Sequence, residues 1–245
     1  MSIRNDATFT VIDETDGYIV VNKPAPLQIH PSAPNGPPTL WHRLCDLLSY
    51  EIANGGQVSI INRLDRETSG VVLVAKSHAL ARLFGMAMME RKIHKTYVAL
   101  VHGWPEWEEH ILDAPILRAG EVQPADIWVK QIVHPQGAAC RTAFRTLQRF
   151  ERDGLRYALI EAKPATGRMH QIRVHLYHLG LPIVGDKLYG RDDRCYLEFI
   201  ETGWTEALAQ KLLLPRQALH SSRLELNLAG FPTFWEAPLP AEFVV

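Results

Sequence analysis

Cysteine is scarce in this chain of 245 residues, which holds three: Cys45, Cys140 and Cys195. They are far apart, odd in number and free of any C-x-x-C pair, which argues against a disulfide framework or a zinc ribbon and fits a reducing compartment. Long apolar runs are also missing. The cleanest, such as Val71-Val72-Leu73-Val74-Ala75, fall far short of the roughly 18 residues a membrane helix needs. No bilayer span is expected. The opening Met1-Ser2-Ile3-Arg4-Asn5-Asp6 lacks the apolar stretch of a secretory signal, so the expected location is cytoplasmic. The sequence has no glycine-rich phosphate loop, no dinucleotide fingerprint, no G-x-S-x-G elbow and no H-E-x-x-H pair. Nucleoside triphosphates, redox cofactors, a Ser-His-Asp triad and zinc chemistry are therefore not implied, and the expected chemistry uses no cofactor and no metal.

An excess of either charge is absent as well: 26 Lys and Arg stand against 27 Asp and Glu, a net of −1. That balance alone argues against a polyanionic partner. Its distribution argues the other way. Residues 63–95 carry seven basic and three acidic side chains, and residues 141–175 carry eight and three, so the rest of the chain is acidic. Segregated charge can build a basic face on a neutral protein, although solvated element faces give the same statistics.

What the chain does have is short, mixed periodicity. Phe9–Ile12 and Tyr18–Val21 read as a hairpin around the turn-prone Asp13–Gly17. The proline-rich His30–Pro38 reads as a loop, after which Thr39 caps a helix carrying Leu40, Leu44, Leu47 and Leu48 at helical spacing. Val71–Ala75 reads as a buried strand, Ser77 opens a helix with Leu80, Leu83, Phe84, Ala87 and Met88 on one face, and a strand follows at Thr96–Val101. Ile127–Val133, Thr142–Phe150 and Leu155–Ala162 are three β-rich runs expected to pair antiparallel. Arg168–Leu179 is expected to be helical with Gly180 just past its end, Thr205–Leu214 is a further helix, and Leu219–Leu228 a last strand pair. Mixed strands and scattered helices without regular βαβ alternation predict an α+β fold with a mixed, mostly antiparallel sheet, and the 245 residues read as a single domain.

Two clusters concentrate the polar chemistry. Asn62-Arg63-Leu64-Asp65-Arg66-Glu67-Thr68-Ser69-Gly70 is a loop between two core strands, the setting in which catalytic groups concentrate, and the arginines flanking Asp65 favour its carboxylate form. The plainer reading of Asp65 is a turn-closing residue. In Thr166-Gly167-Arg168-Met169-His170-Gln171-Ile172-Arg173-Val174-His175-Leu176, helical spacing places Met169, Ile172, Leu176 and Leu179 on the apolar face with Arg173 at its flank. A guanidinium turned inward calls for an anion, with Asp65 the candidate, unless it snorkels to water. His170 and His175 lie about 140° apart on that wheel, unsuited to one metal ion. Tyr97, on a strand beside Arg91, Lys92, His94 and Lys95, reads as a core residue or as a ring that stacks on a base.

Taken together, R-L-D-R-E-T-S-G-V-V-L-V-A at 63–75, K-T-Y-V-A at 95–99, T-G-R-M-H-Q-I-R-V-H-L at 166–176 and P-I-V-G-D-K-L-Y-G at 182–190 resemble the RluA family of RNA pseudouridine synthases. Ile19–Pro24, Ala218–Ser221 and Glu236–Pro240 extend the likeness over nearly the whole chain. The resemblance implies a sheet in two halves with a central active-site cleft and no separate S4 RNA-binding module. It further implies isomerisation of specific uridines in tRNA or rRNA by a catalytic domain that is a monomer. By the same resemblance Asp65 is the catalytic aspartate, Tyr97 the ring against the uracil and Arg173 the cation paired with Asp65. Arg63 is the residue that fills the place of the flipped base, and Arg66, Arg168, His170 and Gln171 are expected to contact RNA. The chain departs from the family at Asn62, where His is usual, which bears on the contacts of the loop and on RNA specificity.

Overall fold

The structure, a computed structural model, describes residues 8–243; the opening Met1–Asp6 lies outside them. The chain divides into two compact units, residues 1–95 with 220–239 and residues 96–219 with 240–245. The expected α+β class holds: helices are interspersed with strands whose pairings are antiparallel in all but one case within the units.

In the first unit β1 (Thr10–Glu14), β2 (Tyr18–Lys23), β4 (Ser69–Ala75) and β11 (Leu219–Leu226) are neighbours in that order. The short β3 (Ser59–Ile60) pairs with the end of β4, and β12 (Phe234–Glu236) pairs with β11. The one parallel pairing sets His220 beside Ser69 and Ser221 beside Gly70. Every residue of β4 is buried, as its unbroken apolar run requires of a strand covered on both faces. On one face Val71, Leu73 and Ala75 join Tyr18, Val20, Leu224 and Trp235, with Phe84 and Ala87 from α3 (His78–Met89). Ser77 caps α3 by accepting a hydrogen bond from the Leu80 N–H at 3.3 Å. Leu83, expected on the core face, is exposed. Thr39 precedes α1 (Leu40–Leu47), which the short α2 (Ser49–Ala53) follows; as expected Thr39 stands at the start of α1, its N–H donating to His42 Nδ1 at 3.2 Å, while Leu40, Leu44 and Leu48 are buried and Leu47 is not.

In the second unit β5 (Ile93–His102), β10 (Leu155–Pro164), β9 (Arg141–Arg152) and β6 (Glu109–Asp113) form an antiparallel set in that order. A separate ribbon joins β7 (Ile116–Arg118) to β8 (Gln131–Val133). The structure differs from the sequence-based expectation at three places. The first of the three β-rich runs is a strand only from Gln131 and pairs with β7, leaving β9 and β10 as the hairpin. The expected strand pair at Leu219–Leu228 is one strand, β11, whose partner β12 comes later. The helix expected from Arg168 is α4 (Gln171–His178), because His170 adopts a left-handed φ of 57° that breaks helical hydrogen bonding ahead of Gln171. Gly180 does follow the helix with φ +73°, the conformation glycine tolerates best. Thr205 caps α6 (Glu206–Leu212), and α5 (Arg194–Thr202) is a helix the sequence reading lacked. Among the described residues no helix is long and apolar enough to cross a membrane.

Gly70 and Gly85 make opposite predictions for one substitution. At Gly70, with φ +118°, an added Cβ would sit 2.1 Å from the Ser221 carbonyl oxygen, whereas at Gly85, inside α3, it meets nothing within 4 Å. Gly70→Ala is expected to cost about 3 kcal/mol or more in urea denaturation, and Gly85→Ala to add about 0.5–1 kcal/mol. A Gly70→Ala protein as stable as the parent would contradict the β4–β11 register.

Candidate functional site

The Asp65 loop is an extension of a buried ladder. The Ile61 N–H donates to Leu73 O at 2.9 Å, and the Asn62 side chain then carries the pattern onward: its Nδ2 donates to Val71 O at 2.9 Å and its Oδ1 accepts from the Leu73 N–H at 2.8 Å. An amide side chain supplies the same donor and acceptor as a peptide unit, so buried Asn62 stands in for main chain where the backbone turns away. This is the part played by the residue at which the sequence departs from its apparent relatives.

Past Asn62, Arg63 is exposed, Leu64 buried and Asp65 half-buried; a turn at Arg66-Glu67 follows, closed by the Thr68 N–H donating to Asp65 O at 3.1 Å. The Asp65 main chain thus takes part in closing the turn. The Arg66 carbonyl accepts from the Leu27 N–H at 2.9 Å. At the loop's exit, Ser69 Oγ lies 2.8 Å from His220 Nδ1, and His220 Nε2 lies 3.3 Å from Ala237 O. His220 is sealed from water, and this arrangement assigns its proton to Nε2, with the Ser69 hydroxyl donating to Nδ1. His30, exposed on the neighbouring segment, has its pKa lowered by partial burial and by the positive charge of Arg63.

In the second unit Tyr97 lies on β5 opposite Ala162 and is buried. Arg173, in α4, does not snorkel: it is 8% exposed and forks onto Asp186, with Nε to Oδ2 at 2.7 Å and Nη2 to Oδ1 at 2.9 Å. Asp186 has no exposed surface, and its Oδ1 also accepts the N–H groups of Leu188 at 2.9 Å and Tyr189 at 3.0 Å. Burial pushes the Asp186 carboxyl up, but the Arg173 charge and hydrogen bonds, with those of the Tyr189 and Leu188 N–H groups, outweigh it and hold the pKa below the ordinary range. The Arg173 guanidinium lies 5.0 Å from the centre of the Tyr189 ring. The Tyr189 hydroxyl accepts from the Gln131 N–H at 2.9 Å and meets His170 Nδ1 at 2.9 Å.

The remaining residues expected at the site divide by exposure. Arg66 and Arg168 are exposed and His170 is half-buried. Gln171 is buried and braces the loop: Oε1 accepts from Thr166 Oγ1 at 2.8 Å and from the Arg168 N–H at 3.1 Å, while Nε2 donates to Arg141 O and Thr142 Oγ1, both at 2.9 Å. Thr142 Oγ1 lies 2.9 Å from His175 Nδ1, and His175 Nε2 lies 3.0 Å from Ala114 O. His175 is therefore a fully buried link in a hydrogen-bond chain, its pKa lowered chiefly by burial. Met169, expected on the apolar face of the helix, is 49% exposed because it precedes the helix. Among the described residues no group of three or more His, Cys, Asp or Glu is placed to hold a metal ion. Asp186, the carboxylate that holds Arg173, is not among the candidate residues the sequence suggests, although it lies in the P-I-V-G-D-K-L-Y-G run.

Residues 17–178 match the family model described as RNA pseudouridylate synthase. The chain is 34% identical, over 99% of its length and 72% of the relative's, to the ribosomal large subunit pseudouridine synthase D of Pseudomonas aeruginosa. It is 38% identical, over 91% of its length and 64% of the relative's, to an uncharacterized RNA pseudouridine synthase of Chloroflexus aurantiacus. Among solved structures, human RNA pseudouridylate synthase domain containing 4 aligns with a TM-score of 0.69 at 24% identity, covering 96% of this chain and 90% of that one. The human domain containing 1 protein aligns at 0.68 and 22%, covering 94% and 83%. These two likenesses are of fold.

Removing the Asp186 carboxylate takes away the fork that holds the buried Arg173 guanidinium and leaves the buried Leu188 and Tyr189 N–H groups without their acceptor, so Asp186→Ala is expected to cost about 3–5 kcal/mol in denaturant unfolding. Because the folded-state pKa of Asp186 is depressed, its contribution is fully present above the unfolded Asp value of about 3.9 and is lost as pH falls from there through the lower folded value. The parent's stability should drop over that acid window more steeply than that of Asp186→Asn. Equal acid slopes in the two proteins would contradict the pairing.

Proposed function

The chain belongs to the RNA pseudouridine synthase family, and from that premise we propose that it isomerises uridine in the RNA of the large ribosomal subunit, with Asp65 as its essential aspartate. The family's enzymes are isomerases acting on RNA. The observation that carries the choice of substrate is the 34% identity, over 99% of the chain, to a relative named for the ribosomal large subunit.

The reaction breaks the N1–C1′ bond of uridine, turns the uracil and joins its C5 to C1′, and the proton displaced from C5 leaves to solvent while N1 gains one. No group is added or removed, so the demand on the protein is to hold a freed base in place and to assist one bond cleavage and one bond formation. In the proposal the Asp65 carboxylate acts as nucleophile or as general base. Tyr97 packs its ring against the uracil, and Arg173 is the cation that balances Asp65 during the reaction. Exposed Arg63 fills the place the flipped uridine leaves, and Arg66, Arg168 and the half-buried His170 contact the RNA. Gln171 serves binding indirectly, by fixing the main chain of Arg168. The two compact units act together as one catalytic domain, a monomer working in the cytoplasm, a setting that suits its three free cysteines.

With RNA labelled by tritium at uracil C5, Asp65→Ala is expected to lower tritium release at least about 10³-fold, the scale on which loss of an essential catalytic group falls. RNA affinity should stay within about threefold, because the side chain is not a phosphate contact. Turnover by Asp65→Ala at a rate near the parent's would overturn the assignment. Pseudouridines mapped in ribosomal RNA from cells with and without the gene test the substrate; an unchanged large-subunit map would overturn that part.

A further inference from the structure

Trp128 is 75% exposed, yet it is held in place. It is the first central residue of a turn, Ile127–Lys130, closed just ahead of β8 by the Lys130 N–H donating to Ile127 O at 3.1 Å. Both of its neighbours face inward: Ile127 is buried, and Val129 packs against the same core cluster, which includes Val174, Leu188 and Tyr189. With those two fixed, the indole between them is directed outward. There the Arg118 guanidinium, from β7, lies over the ring with its Cζ 3.5 Å from the ring centre.

An indole left in water forgoes the large gain that its burial would bring, and the contact beneath it carries a cost of its own. Arg118 Nη1 is buried without a hydrogen-bond partner among the described residues, which packing for its own sake avoids. What the pair does provide is a flat ring, pinned on one face by a cation and open on the other. The charges around it are largely matched: Arg118 Nε lies 3.5 Å from Glu121 Oε1, and Lys130 pairs with Asp193. A phosphate-binding patch would instead leave an excess of cations. The turn also borders a cavity of about 470 Å³ lined in part by Gln123, Asp126, Ile127, Lys130 and Arg194, within the size range of small-ligand sites. An immobilised, exposed aromatic face of little net charge is suited to stacking on an unpaired base.

We propose that Trp128, pinned by Arg118, is a stacking platform for an unpaired base of the substrate RNA other than the uridine that is isomerised. The inference rests on the reading of the chain as an enzyme acting on RNA. The platform belongs to the same unit as Arg173: three residues beyond Trp128, the Gln131 N–H donates to the hydroxyl of Tyr189, whose ring lies beside the Arg173 guanidinium. Three residues span at most about 11 Å of chain, which brings nucleotides flanking the target within reach of the ring. Trp128 touches no reacting atom, so its contribution falls on binding and not on the chemical step. Arg118 is a positioning residue that acts through the ring.

The test is the RNA affinity of the full chain for two probes, an unmodified transcript of large-subunit ribosomal RNA and a short single-stranded RNA of mixed sequence. A stacking platform accepts the second because every base has a flat face. Trp128→Ala is expected to raise Kd for both about 5- to 150-fold, the scale of one base–aromatic stack, and Trp128→Tyr to regain most of that loss. Arg118→Met, which frees the ring, is expected to fall between Trp128→Ala and the parent. In Trp128→Ala the slope of log Kd against log salt should keep the parent's value, because no phosphate contact is removed, and the rate at saturating RNA should stay within about threefold. An unchanged Kd for both probes overturns the proposal, and so does a shallower salt slope, which makes the turn a phosphate contact. A Trp128→Ala protein that binds RNA normally but changes its own sedimentation also overturns it, by marking a protein contact. An Arg118→Met protein indistinguishable from the parent overturns the part given to Arg118. If the parent modifies no uridine of the transcript, the choice of substrate fails, while Kd for the single-stranded probe still decides the platform.

Discussion

A carboxylate without any contact with water organises the surroundings of Arg173 in the second unit. Asp186 is fully buried and takes four hydrogen bonds, two from the Arg173 fork and two from the main chain of Leu188 and Tyr189. Desolvation alone would favour its neutral form; the guanidinium and the peptide N–H groups reverse that preference. The arrangement does more than neutralise a charge. A fork on a carboxylate fixes the plane and the direction of the guanidinium, which a point cation cannot do. The two peptide donors fix the turn carrying Tyr189, whose ring lies beside the guanidinium and whose hydroxyl reaches His170. Orientation of Arg173, the Tyr189 turn and the His170 ring thus follow from one buried anion.

The first unit meets the same need with different chemistry. Asn62 and Lys23 are side chains that bond to main chain, one continuing a sheet ladder and the other, at the end of β2, donating to the Arg66 carbonyl. His220 ties the loop's exit to Ala237. Each is buried and polar, and each costs stability unless satisfied, so their concentration around residues 62–69 marks a segment whose position matters more than its packing. An isomerisation that adds and removes no group places its demand on position. Asn62, the departure from the apparent family pattern, leaves that framework intact, since its amide completes the ladder itself.

Legibility from sequence followed the source of each element's stability. β4 was plain because an all-apolar run fits only a strand covered on both faces, and α3 because Ser77 and the spacing of Phe84 and Ala87 coincide. The start of α4 was read three residues early, since the left-handed His170 is enforced by contacts to Tyr189 that no local pattern records. The β6 and β7 strands and α5 were missed; each is short and partly exposed, so propensity carries little signal there. At the site, Asp65 stood out as a carboxylate between two arginines in a polar loop and Arg173 as a guanidinium at the flank of an apolar helix face, and Arg173 does turn inward. Asp186 did not stand out as its partner, because that pairing depends on a turn at Gly185, where φ is +76° and a Cβ would lie 2.0 Å from the Arg216 carbonyl oxygen.

In the proposed mechanism Arg173 acts as an oriented guanidinium and not merely as a positive charge. Arg173→Lys separates the two, keeping the charge while removing the fork on Asp186. Under single-turnover conditions with saturating RNA, the rate of pseudouridine formation by folded Arg173→Lys is expected to fall at least about 10²-fold, the scale of a misplaced catalytic group. A lysine protein that forms pseudouridine at the parent's rate would contradict it.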